Sequence, residues 1–136
     1  MKGVLVLLVL AVVVLSGSTL GGVIGNTDKE VRAIADPLLD NILEGMKTKD
    51  YTKYQRDFDK TMKEYESKEA FLKSNKQIEL LMGSYESRKY LGFLKKSDMT
   101  IVLWKGTFDN TQDDVLIKLV ISKRKDKYLV TGLWFQ

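Results

Sequence analysis

The chain has 136 residues, with 22 Lys and Arg against 18 Asp and Glu and a net charge of +4, and it contains no His and no Cys. Those two absences exclude Ser-His-Asp and Cys-His catalysis, disulfides and almost all zinc, copper and haem sites, leaving only carboxylate, Tyr, Lys and Arg chemistry. The length suits one domain around a single core.

Residues 1–25 carry one charge, Lys2, ahead of the unbroken apolar run Val4 to Leu15 and the small, polar segment Ser16-Gly17-Ser18-Thr19. This is the layout of a secretory signal peptide. A run of twelve residues suits a cleavable segment better than a full span, which needs about 20. No charge follows until Asp28, however, so a span from Val4 to Ile24 is also long enough. The segment is therefore expected to be either a cleaved signal or a retained N-terminal membrane anchor. Either fate exports the rest, because Lys2 favours a cytoplasmic N-terminus. Leu15-Ser16-Gly17-Ser18 resembles the lipoprotein cleavage box with Ser18 where that box has its lipid-bearing cysteine. A hydroxyl cannot take that lipid, and Ser16 and Ser18 also serve as the small residues an ordinary signal peptidase accepts.

From Asn26 to Gln136 a single α+β domain is expected. Thr27 and Glu30 have capping-box spacing, and Val31, Ile34, Leu38, Leu39, Ile42, Leu43 and Met46 recur on one helical face. Pro37 is predicted to kink this helix near Ala33 or to open a second one capped by Asp36. Asp50 can cap a short helix carrying Tyr51, Tyr54 and Phe58. Ser67 can cap another with Phe71, Leu72, Ile78 and Leu81 inward, and Gly83 suits its C-terminal stop.

Beyond Gly83 the period changes. Tyr85 to Leu94, Met99 to Phe108, Asp114 to Ser122 and Lys127 to Phe135 are rich in β-branched and aromatic residues and are separated by short polar turns. Four such strands predict an antiparallel meander. In the third, Val115, Ile117, Leu119 and Ile121 share one face, with Leu116, Lys118, Val120 and Ser122 on the other. The second strand is apolar on both faces, which predicts cover from the helices on one side and from curvature or a partner, including a homodimer through the sheet, on the other.

Helix, short helices and a curved four-stranded meander is the layout of the cone-shaped fold of nuclear-transport-factor-like, ketosteroid-isomerase-like and cystatin-like domains. From about Ile34 to Gln136 the chain resembles a family of small exported bacterial and archaeal domains of unknown function, many of them lipoproteins. The residues that carry the resemblance are Leu43-Glu44-Gly45-Met46, Asp50-Tyr51, Phe58-Asp59-Lys60-Thr61-Met62, Gly83-Ser84-Tyr85, Val102-Leu103-Trp104-Lys105-Gly106 and Gly132-Leu133-Trp134-Phe135. The resemblance implies a fold and no chemistry.

The cone fold encloses a pocket, and its isomerase members use an Asp base with a Tyr donor. The corresponding candidates are Tyr54 and Asp59, with Trp104 and Trp134 as further pocket residues. The structural alternative places Tyr51, Tyr54 and Phe58 in an apolar stripe, Asp59 in a cap and both tryptophans in the core. No residue is assigned as catalytic, and no metal or cofactor is expected. In a meander the first and third turns lie at one end, so Lys95, Lys96, Lys123, Arg124, Lys125 and Lys127 should form a basic tip, opposite Asp109, Asp113 and Asp114. The expected role is an exported, non-catalytic binding or interaction module at the cell envelope, with an anionic membrane surface or another envelope protein as partner and no nucleic acid. The alternatives are a pocket protein for a small apolar ligand, or an isomerase-type enzyme using Asp59 and Tyr54.

Overall fold

A computed structural model describes residues 22–136, so the first 21 of the 25 residues read as a leader or anchor lie outside the described residues. Four helices, α1 (Asp28–Thr48), α2 (Tyr51–Tyr54), α3 (Lys60–Tyr65) and α4 (Lys68–Met82), precede four strands, β1 (Tyr85–Lys95), β2 (Thr100–Phe108), β3 (Val115–Arg124) and β4 (Lys127–Phe135). The strands form one antiparallel sheet in the order β1-β2-β3-β4, and the helices cover one of its faces. The expected α+β meander is present.

Each helix starts on an oxygen that accepts an otherwise unpaired amide hydrogen. Thr27 Oγ1 accepts from Glu30 at 3.2 Å, Asp50 Oδ1 from Lys53 at 3.0 Å, Asp59 Oδ1 from Met62 at 2.9 Å and Ser67 Oγ from Ala70 at 3.1 Å. The Glu30 carboxylate reaches back to the amide of Asn26, one residue earlier than a capping box requires. Pro37 neither ends α1 nor opens a second helix: the element runs unbroken through it. Pro37 and Ala33 both lie on the exposed face, so the carbonyl that loses its donor is on the water side. Asp36, expected as a cap, instead accepts hydrogen bonds from the sheet.

In α4 the inward face is Phe71, Asn75, Ile78 and Met82. Leu72 and Leu81, expected inward, are 39% and 56% exposed, because 3.6 residues per turn sets them about a quarter-turn to either side of that face. Gly83 stops the helix with φ of 85°, and a Cβ there would fall 2.6 Å from Asn110 Cβ. Gly45 lets α1 and α2 touch, since a Cβ would sit 2.6 Å from the Tyr54 amide.

The face of the sheet beneath the helices buries Val102, Trp104, Phe108, Ile117, Leu119, Ile121, Val130, Leu133 and Phe135. The opposite face carries Ile101, Leu103, Leu116, Lys118 and Trp134, all partly exposed, with Leu91 and Leu94 52% and 51% exposed. Two stretches of coil pair with strands of the sheet. Val130 donates to Asp57 O and accepts from the Asp59 amide, at 2.8 and 2.9 Å, sealing part of the β4 edge. Gly22 exchanges two backbone hydrogen bonds with Lys123, at 2.8 and 2.9 Å, beside β3 where β2 no longer reaches.

Ile24 follows as a buried core residue, 7% exposed, and its amide donates to Thr100 Oγ1 at 3.1 Å. The domain boundary expected at Asn26 therefore falls inside the folded body, which includes Gly22 and Ile24. The apolar run gave no sign of this, because Ile24 follows two glycines and a valine of equal hydropathic character.

Candidate functional site

The four expected pocket residues do not converge. Tyr54 is 6% exposed, packs on Phe58 and Phe71 with ring centroids 4.9 and 4.3 Å away, and donates its hydroxyl to Glu66 Oε1 at 3.0 Å. Burial, reinforced by the Glu66 charge, pushes its phenol well above the ordinary value. Burial also raises the Glu66 carboxyl, and the bond from Tyr54 offsets part of that rise. The space beside this pair, between Met46, Phe71 and Leu133, is about 20 Å³, room for one water and no ligand.

Asp59 is 6% exposed and fully engaged: one oxygen caps α3 and the other accepts from Arg124 at 3.1 Å. Trp104 is completely buried, and its indole N–H donates to Asp36 Oδ1 at 3.1 Å. Asp36 also accepts from Arg32 at 3.2 Å and Arg88 at 3.4 Å, while Arg88 pairs with Asp40 at 2.8 Å. This polar seam ties α1 to the sheet. Beside it the Tyr90 hydroxyl donates to Asp28 at 2.6 Å, and burial followed by that bond raises its phenol.

Trp134 lies on the other side of the sheet. Its register partner Lys118 pairs in turn with Leu103, whereas Trp104 pairs with Ile117 and Ile117 with Phe135. The Lys118 ammonium sits 4.4 Å from the Trp134 ring centroid, a cation–π contact at the surface. Trp104 and Trp134 thus cannot line one cavity.

A recess does exist elsewhere. Between α1, α4 and the start of β1 lies a cleft of about 500 Å³, within the range of small-ligand sites. Leu43, Met46, Ile78 and Phe108 give it apolar walls, and Asp40, Glu44, Glu79 and Glu86 stand round it. None of the four expected pocket residues reaches it. Sequence reasoning missed it because its walls come from four elements separated along the chain.

The basic end forms as the strand order dictates. Lys95 pairs with Thr100, Thr100 with Ile121 and Ile121 with Val130, so the β1–β2 and β3–β4 turns lie together. Ser122 Oγ donates to Asp98 O at 2.9 Å and joins them. Arg124 departs from the expected set: it reaches inward to Asp59 and is 35% exposed. Five exposed lysines remain, Lys95, Lys96, Lys123, Lys125 and Lys127, against Asp98 and Asp126. None of the five is in an ion pair among the described residues. Lys95 Nζ donates to Asn26 Oδ1 at 3.0 Å, and Lys123 Nζ lies 5.7 Å from the Tyr128 ring centroid. At the other end Asp109 accepts from the Ser84 amide at 2.8 Å and Asp114 faces Lys105 at 3.7 Å.

Among the described residues no cluster of acidic side chains has metal-binding geometry, and no helix is long and apolar enough to cross a membrane. No protein-family model, curated protein or solved structure matches this chain.

Proposed function

We propose that the protein is an exported, non-catalytic binding or interaction module at the cell envelope, built on the cone-shaped, nuclear-transport-factor-like or cystatin-like variant of its α+β architecture. The observation that carries this reading is how the candidate acid and base are used. Asp59 is held by a helix cap and an arginine, and Tyr54 by a carboxylate in a space that admits one water. A general base must come within reach of a substrate proton, and Asp59 and Tyr54, each 6% exposed, leave no room for a substrate beside them. Export rests on the signal-like pattern of residues 1–25.

Fusing residues 1–25 to a reporter enzyme that is active only after export tests the location. An active reporter is expected, and an inactive one overturns it. The second reading, a carrier for a small apolar ligand, is favoured by the cleft of about 500 Å³ between α1, α4 and β1. Methyl resonances of Met46 and Ile78, followed while apolar compounds are titrated in, separate the two. Saturable shifts select the carrier, and unchanged methyls select the interaction module.

A further inference from the structure

Resting on the reading of the first 25 residues as an export signal or anchor, we propose that the lysine-rich tip lies against an anionic phospholipid surface, so that the domain stands end-on to the membrane. Two independent observations place it there. The first is charge: Lys95, Lys96, Lys123, Lys125 and Lys127 are exposed and free of ion pairs among the described residues, with only Asp98 and Asp126 beside them. A lysine near an anionic bilayer adds about a fivefold factor in partition, so an excess of three charges gives roughly a hundredfold.

The second is where the chain joins the fold. The apolar run Val4 to Leu15 and the uncharged segment after it lead to Gly22, and Gly22 is bonded to Lys123, one of the five lysines. Gly22 is antiparallel to β3, so the described chain begins beside the β3–β4 turn, at the lysine end, and runs away from it. A membrane segment ahead of Gly22 would join the described fold at this end. Exposed Leu94 adjoins Lys95 on the same hairpin, giving the tip an apolar side chain beside its charges, the pairing that favours interfacial contact. The opposite end, with Asp109, Asp113 and Asp114 in one loop, is repelled by the same lipid.

The test uses the full chain in vesicles. Because the chain has no cysteine, Ser97→Cys at the tip and Gln112→Cys at the far end each accept one environment-sensitive dye, and headgroup-labelled lipid reports proximity by quenching. In vesicles containing phosphatidylglycerol, quenching at position 97 should exceed that at 112 several-fold. The difference should shrink several-fold in phosphatidylcholine alone, at about 0.5 M salt where the Debye length falls to about 4 Å, and in the variant carrying Lys96→Glu, Lys125→Glu and Lys127→Glu, leaving at most the part that a tether at Gly22 supplies. That triple variant should melt at the parent's temperature, since the three side chains are solvated. Equal quenching at both positions in phosphatidylglycerol vesicles, or a difference undiminished in neutral lipid or after charge reversal, overturns the proposal. An inactive export reporter would overturn the export reading instead, and the vesicle result does not depend on it.

Discussion

The two faces of the sheet each carry a tryptophan, and the two tryptophans are held in opposite ways. Trp104 sits under α1 with no exposed surface, its N–H bound to Asp36, its ring edge-on to Tyr90 at 6.4 Å. Trp134 folds across Gly132, where a Cβ would come within 2.7 Å of its ring, and meets Lys118 in the open. The inner face derives stability from burial and from polar groups that find partners across it. The outer face keeps apolar side chains half-covered by lysine stems, an arrangement that lets long cations shield hydrocarbon from water.

The strongest way to break this contrast is to truncate both tryptophans. Trp104→Ala should cost about 3–5 kcal/mol, the range for deleting a buried large aromatic, and leave a barely folded chain by circular dichroism. Trp134→Ala should cost only about 1–2 kcal/mol, since a partly exposed ring forfeits less apolar burial. Equal losses in urea melts would show that the outer face is covered in solution.

Between these two falls the N-terminal extension of the core. A chain starting at Asn26 should lose about 2–4 kcal/mol relative to one starting at Gly22, because it lacks a buried isoleucine and the hydrogen bonds to Lys123. Ile24→Ala in the longer chain should account for most of that deficit. Melts that coincide would place Ile24 outside the inner face.

The smallest effect concerns the helix layer. Glu66 has a raised carboxyl, so the folded state binds a proton more readily than the unfolded chain, and stability falls as pH climbs from the ordinary value of 4.5 through the raised one. Glu66→Gln keeps an acceptor for the Tyr54 hydroxyl and removes the charge. It should flatten that part of the stability–pH curve and raise neutral-pH stability by less than about 1 kcal/mol. A parent curve with no decline over that window would show that the carboxylate is solvated.

Local patterns carried much of this fold. Alternation in Val115 to Ser122 assigned both faces of β3, and Asp50, Ser67 and Gly83 marked helix ends through chemistry confined to a few neighbours. Asp59 as the cap of a separate helix was only half visible, because α3 is six residues long and buries little beyond Met62. What stayed hidden depends on distant partners. Arg124 looked like one more cation in a basic run until Asp59, 65 residues away, took it. Trp134 looked like core because Gly-Leu-Trp-Phe is apolar throughout, and a strand apolar on both faces does not say which face is covered. The register shift between Val120 and Ile121 offsets the alternation along β4 as well. The tip was legible because turn adjacency follows from topology alone, whereas the cleft required four elements to be placed.

The Gly22–Lys123 bridge also gives the domain a mechanical character. A pull on the chain ahead of Gly22 reaches its two backbone hydrogen bonds to β3, then the Ile24 amide and its buried side chain, before the strands of the meander part from one another. Force should therefore be absorbed in steps, with a short peel of the entry segment preceding rupture of the sheet. Such a peel would free a few residues of chain while the rest of the domain stayed folded, so that the first contact of the chain with its own sheet yields before the sheet does.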